Sequence, residues 1–119
     1  MADAPIRFQL VLTTTDSEEV ANRIARELVE RRLAACVNQV GPVQSVYRWE
    51  GKVVCSEERL LILKTRVDRF EQVSSAIREL HTYDVPEVLA IPLSAGDGRY
   101  LSWLAGCLRD ADEPDPATG

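Results

Sequence analysis

The 119-residue chain has room for one domain and can bury one modest core, enough to fold without disulfides. Its 45% apolar and 28% charged residues are a globular balance, and no apolar run approaches the ~18–20 residues that span a bilayer. The net charge of −5 is concentrated at the end: four of the 19 acids (Asp110, Asp112, Glu113, Asp115) fall in the last ten residues, leaving 14 bases against 15 acids and no built-in field for nucleic acid or an anionic membrane.

The stretch Met1 to Phe8 lacks a basic segment followed by an apolar one, so no secretory signal is expected and the cytoplasm is the expected location. Glu113-Pro114-Asp115-Pro116 predicts an acidic, disordered tail over residues 110–119, which leaves residues 6–109 as the folded domain. Cys36, Cys55 and Cys107 are odd in number and far apart, without CxxC or Cys/His zinc spacing. Reduced, mostly packed thiols are therefore expected, not a disulfide framework or structural zinc.

Phe8 to Thr14 is apolar and rich in β-formers, which predicts a buried first strand. It runs into Asp16-Ser17-Glu18-Glu19, where Asp16 is the expected N-cap and Glu19 the reciprocating residue of a capping box. Val20, Ile24 and Leu28, with Ala21 and Ala25, repeat on one helical face, and Arg31 and Arg32 fall in the expected last turn, where they suit the helix dipole. Leu33 to Asn38 predicts a second strand, Gly41-Pro42 a bend, and Val43 to Trp49 a further extended run. Glu50-Gly51 has the chemistry of a two-residue hairpin turn, after which the chain returns from Lys52 to Thr65 without a turn signal. Asp68-Arg69-Phe70-Glu71 predicts a second capping box, ahead of a helix that buries Phe70, Val73, Ile77 and Leu80. Glu87 to Leu93 supplies a last strand, ended or placed at an edge by Pro92, and Tyr100 to Leu108 a final helix.

This order predicts an α+β, ferredoxin-like βαββαβ sandwich with an extra C-terminal helix. A helix of about 16 residues covers roughly 24 Å. Val53 to Thr65, fully extended, reaches roughly 44 Å. The hairpin of the second and third strands must therefore project as a long arm, and that arm carries Val43, Val46, Tyr47, Trp49, Val53 and Val54. A ribbon with apolar surface and open edges is marginal alone in water. Self-association is expected, and a head-to-tail contact must close into a ring to avoid filaments. The number of subunits does not follow from this.

Five segments in order and spacing resemble the CutA family: Arg32-Leu33-Ala34-Ala35-Cys36-Val37-Asn38, Ser45-Val46-Tyr47-Arg48-Trp49-Glu50-Gly51-Lys52, Leu63-Lys64-Thr65, His81-Thr82-Tyr83-Asp84-Val85-Pro86-Glu87 and Tyr100-Leu101-Ser102-Trp103-Leu104. The resemblance spans Phe8 to Arg109. It implies a homotrimer, similar in architecture to the PII signalling proteins, with a role in the response to divalent metal ions and no required cofactor. Some members of the family are regarded as copper binders, which implies weak contact with Cu(II) or another divalent cation. This sequence departs from the ligands proposed for the family: Thr13 stands in place of a Cys, Leu80 in place of the first of two His, and Thr82 in place of the Pro of a common His-Pro-Tyr. Thr and Leu cannot act as thiolate and imidazole toward a soft metal, which leaves His81 as the implied metal contact. The resemblance also implies a cleft between subunits lined by Tyr47, Trp49, Tyr83 and Trp103, with Glu58, Lys64 and Glu87 placing charges in it.

Plainer roles stand beside these. His81, the single histidine, follows Leu80 near the end of the second helix, where a cap or a favourable charge is the simpler reading. The four aromatics serve equally as packing and interface area. Lys64, in a strongly apolar strand, faces either the cleft or solvent. The alternative function is a PII-like sensor or scaffold binding a small anionic ligand through Lys64 and His81. No enzyme is expected, because phosphate loops, Ser-His-Asp arrangements and Cys nucleophile motifs are absent from the sequence. A weak hydrolase using Glu58 or Glu87 is the enzyme reading that remains. Neither the CxxC loop of a metallochaperone nor RNA-binding aromatics on a basic face are found, so nucleic acid and membrane are not expected partners.

Overall fold

The computed structural model describes residues 6–109, and the expected acidic tail lies outside them. The elements follow in the order β1 (Phe8–Thr15), α1 (Glu18–Glu30), β2 (Cys36–Trp49), β3 (Lys52–Arg66), α2 (Phe70–Leu80), β4 (Leu89–Pro92) and α3 (Gly98–Leu108). Neighbouring strands all pair antiparallel in one sheet of order β2-β3-β1-β4. The α+β class, the element order and the additional C-terminal helix agree with the sequence pattern.

The helix ends differ from expectation. Ser17, not Asp16, caps α1, its Oγ accepting from the Val20 N–H at 3.2 Å. The Ser17 N–H in turn donates to Thr15 Oγ1 at 3.2 Å, which sets the turn one residue later. Arg31 and Arg32 lie past the helix. Arg31 pairs with Glu27 at 2.9 Å and Glu79 at 3.2 Å, tying α1 to α2, while Arg32 turns the chain in the left-handed region at φ 59°. The second capping box does not form. Asp68 pairs with Arg66 at 2.7 Å, a charge-assisted contact that draws its carboxylate from the backbone, and a 3-10 turn, Val67–Arg69, leads into α2 instead.

Alternation along the strands decides what each face buries. Val11 and Thr13 of β1, opposite Leu63 and Leu61 of β3, point under the helices and are fully buried. Val20, Ala21, Ile24 and Leu28 of α1 and Val73, Ala76 and Ile77 of α2 close this core, with Phe70 and Leu80 partly buried at its rim. Ala25 is only half-buried.

Leu10 and Leu12 of β1, Leu60 and Ile62 of β3, and Leu89 and Ile91 of β4 share the opposite face by register. There α3 covers one end only, where Ala35, Leu104 and Leu108 bury with Phe8 and Cys107. Buried Arg69 fixes that helix by donating to the Leu108 carbonyl at 2.7 Å, placing a cation at the negative end of the dipole. Strand β4, shorter than the expected Glu87 to Leu93, is an edge, as Pro92 requires.

From residue 58 back toward the turn, β3 loses β1 as a partner and pairs with β2 alone. Strand β2 runs through Gly41-Pro42 with a register shift between Val40 and Val43. Gly41 sits so close to β3 that an added Cβ would lie 3.1 Å from Arg59 Cγ. Glu50 and Gly51 turn the ribbon with φ 51° and 79°, the two left-handed positions of a type I′ hairpin. This arm makes the molecule 54 Å long against 26 and 23 Å in the other directions, and leaves Val46, Trp49 and Val53 59–68% exposed.

Candidate functional site

A groove of about 630 Å³ opens where the arm leaves the sheet. Tyr47, Trp49 and Ser56 of the arm form one wall, Thr14 comes from the end of β1 and Asp16 from the bend just after it, and Tyr83, Asp84 and Glu87 come from the loop after α2. Glu58 lies at the point where β3 passes from the sheet into the arm and is 7% exposed.

Glu58 is held by one strong contact: its Oε2 accepts from the Tyr83 hydroxyl at 2.7 Å. Burial, and then the Glu58 carboxylate that the phenol serves, raise the Tyr83 pKa far above its ordinary value. Tyr83 is therefore a fixed proton donor at neutral pH. Its loop is pinned by His81. The imidazole Nδ1 accepts the Tyr83 N–H at 3.0 Å, so the ring proton sits on Nε2, which donates to the Thr14 carbonyl at 2.7 Å. The two rings also pack together, with centroids 4.4 Å apart.

These contacts bear on the expected metal contact at His81. Its one available lone pair is spent on a backbone N–H, and the ring is 8% exposed. The imidazole organises the loop that carries Tyr83, Asp84 and Glu87, and metal ligation would require breaking that tie. Among the described residues no group of three or more His, Cys, Asp or Glu side chains converges as a metal site would require.

Tyr47, Trp49, Glu58, Tyr83 and Glu87 all line the groove. Lys64 and Trp103 do not. Lys64 is on the same face of β3 as Glu58 but six residues further on, roughly 20 Å away at the strand rise. Its Nζ lies 5.6 Å from the centre of the Tyr100 ring, and Trp103 packs on that ring at 5.4 Å. The cleft implied by resemblance is thus divided within one chain into an acidic, aromatic groove and a separate cationic, aromatic cluster at α3.

Sequence reasoning missed Asp16, which with Glu58, Asp84 and Glu87 brings four carboxylates and no base to the groove lining. Asp16 had been assigned to the cap. Ser17, an equally good capping residue next to it, was the signal that the carboxylate was free for another role. The apolar second sheet face was also missed. Its signal was the successive apolar residues Leu10-Val11-Leu12 in β1 and Leu60 to Leu63 in β3, which mark strands covered on both faces.

The chain matches the family described as CutA1 divalent ion tolerance protein over residues 9–107. It is 49% identical over 96 residues to the divalent-cation tolerance protein CutA of Thermus thermophilus, covering 81% of this chain and 93% of that protein. It is 43% identical over 101 residues to the chloroplastic protein CutA of Arabidopsis thaliana, covering 85% of this chain but only 56% of that longer relative. The crystal structure of CutA1 from Oryza sativa superimposes with a TM-score of 0.86 at 40% identity, over 89% of this chain and 97% of that one. Fold and residue identity agree, and the chain belongs to the CutA1 divalent ion tolerance family.

Proposed function

We propose that this protein acts in the response to divalent metal ions as a cytoplasmic homotrimer of ferredoxin-like subunits, and that it binds its ligand without turning it over. The observation that carries this reading is the groove itself, with Asp16, Glu58, Asp84 and Glu87 set among three aromatic rings and no base in the lining. Such a field attracts cations and repels anions. Carboxylates that line a groove without converging suit weak contact with a divalent cation, Cu(II) included, whose remaining positions are filled by water. Self-association is supported by two apolar surfaces that one chain leaves open, the arm and the second sheet face, and the number three rests on the resemblance to the family. A sensor of anionic ligands is less well supported, because Lys64 lies outside the groove and both nitrogens of His81 are engaged.

Calorimetric titration of the metal-free protein with Cu(II) and Mn(II) tests the binding site. The expected dissociation constant is about 0.1–1 mM, the range of loosely built oxygen sites. Affinity should fall in Glu58→Gln combined with Glu87→Gln and should survive His81→Gln. Undiminished affinity in the double carboxylate variant would sink the groove as the metal contact.

A further inference from the structure

A different arrangement lies under α3, away from the groove. Cys36 opens β2 directly opposite Lys64 in the ladder. Residues directly opposed across a ladder project from the same face, and Lys64 reaches the Tyr100 ring of α3. The Cys36 thiol therefore points toward α3, and it donates to Asn38 Oδ1 at a long 3.9 Å. From the other side, Tyr100, Leu104, Cys107 and Leu108 lie on one stripe of α3. Leu104, Leu108 and Cys107 pack with Ala35, the residue just before Cys36. The strand start and the helix end thus carry two half-buried, unbridged thiols to the same end of this sheet face.

We propose that Cys36 and Cys107 form a two-thiolate site for a soft, closed-shell monovalent cation, Cu(I) or Ag(I). Thiolates select such cations over hard divalent ones. Binding releases one proton from each thiol and forms two metal–sulfur bonds, with no change of oxidation state.

Burial raises the Cys107 pKa, Arg32 draws it down, and the neighbouring Cys36 thiol raises it again. Two thiolates side by side repel, and a cation between them removes that repulsion as it displaces the protons. The same repulsion slows disulfide formation, which begins from a thiolate. Two thiolates around a monovalent cation leave one net negative charge, which Arg32 near Cys107 and Lys64 opposite Cys36 offset. Cys55 stands apart on the arm, its thiol donating to Gln44 at 3.3 Å, and serves as an internal control. This site uses none of the groove residues and is independent of the proposed role of the groove.

The test uses Ag(I) alone, added to the reduced full-length protein in chloride-free buffer and followed by native mass spectrometry against a competing thioether. Wild type and Cys55→Ser should each retain one Ag(I) per chain. Cys36→Ser and Cys107→Ser should each lose more than about 100-fold in affinity, beyond what altering an outer-shell partner produces. A second readout does not rely on variants that fold: one equivalent of Ag(I) should protect Cys36 and Cys107 of the wild type from alkylation and leave Cys55 reactive. Retention undiminished in either single variant, or protection that spares one of the two thiols, would overturn the assignment. So would failure of the wild type to hold Ag(I) while Cys36 and Cys107 oxidise to a disulfide.

Discussion

Under α1 and α2, Val11, Leu61 and Leu63 have no exposed surface, whereas on the opposite face of the same sheet Leu89 and Ile91 are 56% and 46% exposed. Both faces draw on the same central strands, β1 and β3, which are apolar at successive positions rather than at alternate ones. Strands of that kind require cover on both sides. The chain provides two helices for one side and, with α3, only part of a layer for the other. The arm repeats the imbalance, since it carries exposed Val46, Trp49 and Val53. Hydrophobicity along a strand therefore does not distinguish a core completed within the chain from a surface the chain leaves open.

That contrast can be broken first at its closed side. Leu63→Ala should cost about 2–5 kcal/mol, the range for emptying a fully buried leucine site. Urea denaturation at fixed protein concentration measures it, because the stability of an assembling protein depends on concentration. A loss below about 1 kcal/mol would show that the helical face is not the rigid core.

The open side should respond in the opposite way. Leu89→Asp with Ile91→Asp should disperse the assembly to single chains by analytical ultracentrifugation. The stability of the individual chain should change by only about 0.5 kcal/mol per exposed site. A variant that keeps an assembled mass would remove this face from the interface.

The smallest expected effect is at the groove and in alkali. Burial and Glu58 hold the folded Tyr83 pKa above the ordinary value, so the folded state keeps that proton more tightly than the unfolded chain. The resulting stabilisation is complete below the unfolded pKa of about 10 and is lost as pH rises above it toward the folded value. Glu58→Gln removes the contribution of the carboxylate and keeps that of burial, so its loss of stability above about pH 10 should be shallower than in wild type. Denaturation midpoints taken across the alkaline range would show this, and equal slopes would mean that Glu58 does not hold the proton of Tyr83.

Much of the framework was legible beforehand because its signals are local. The Val20, Ile24, Leu28 spacing marked the buried face of α1, and Glu50-Gly51 marked the hairpin turn that both residues take up with positive φ. The helix starts were less legible. Asp16 and Ser17 cap equally well, and only the hydrogen bond from the Ser17 N–H to Thr15 chose between them. Asp68 was claimed by Arg66, a competitor that a motif does not count. At the site, Glu58 and Tyr83 were named separately, and nothing in their spacing showed that a hydrogen bond joins them across 25 positions of chain. The resemblance groups Lys64 with Glu58 in one cleft, but within a single chain the rise of the strand sets them far apart.

From the sequence alone came the α+β order and the long arm, since periodicity, turn chemistry and strand length act over a few residues at a time. Only the tertiary structure decided that His81 ties down a loop, that four carboxylates share one groove, and that Cys107 of α3 packs against Ala35, the neighbour of Cys36. Those outcomes depend on the register between strands and on where loops cross the sheet. Both are set by the packing of the whole chain, and no short stretch of residues encodes them.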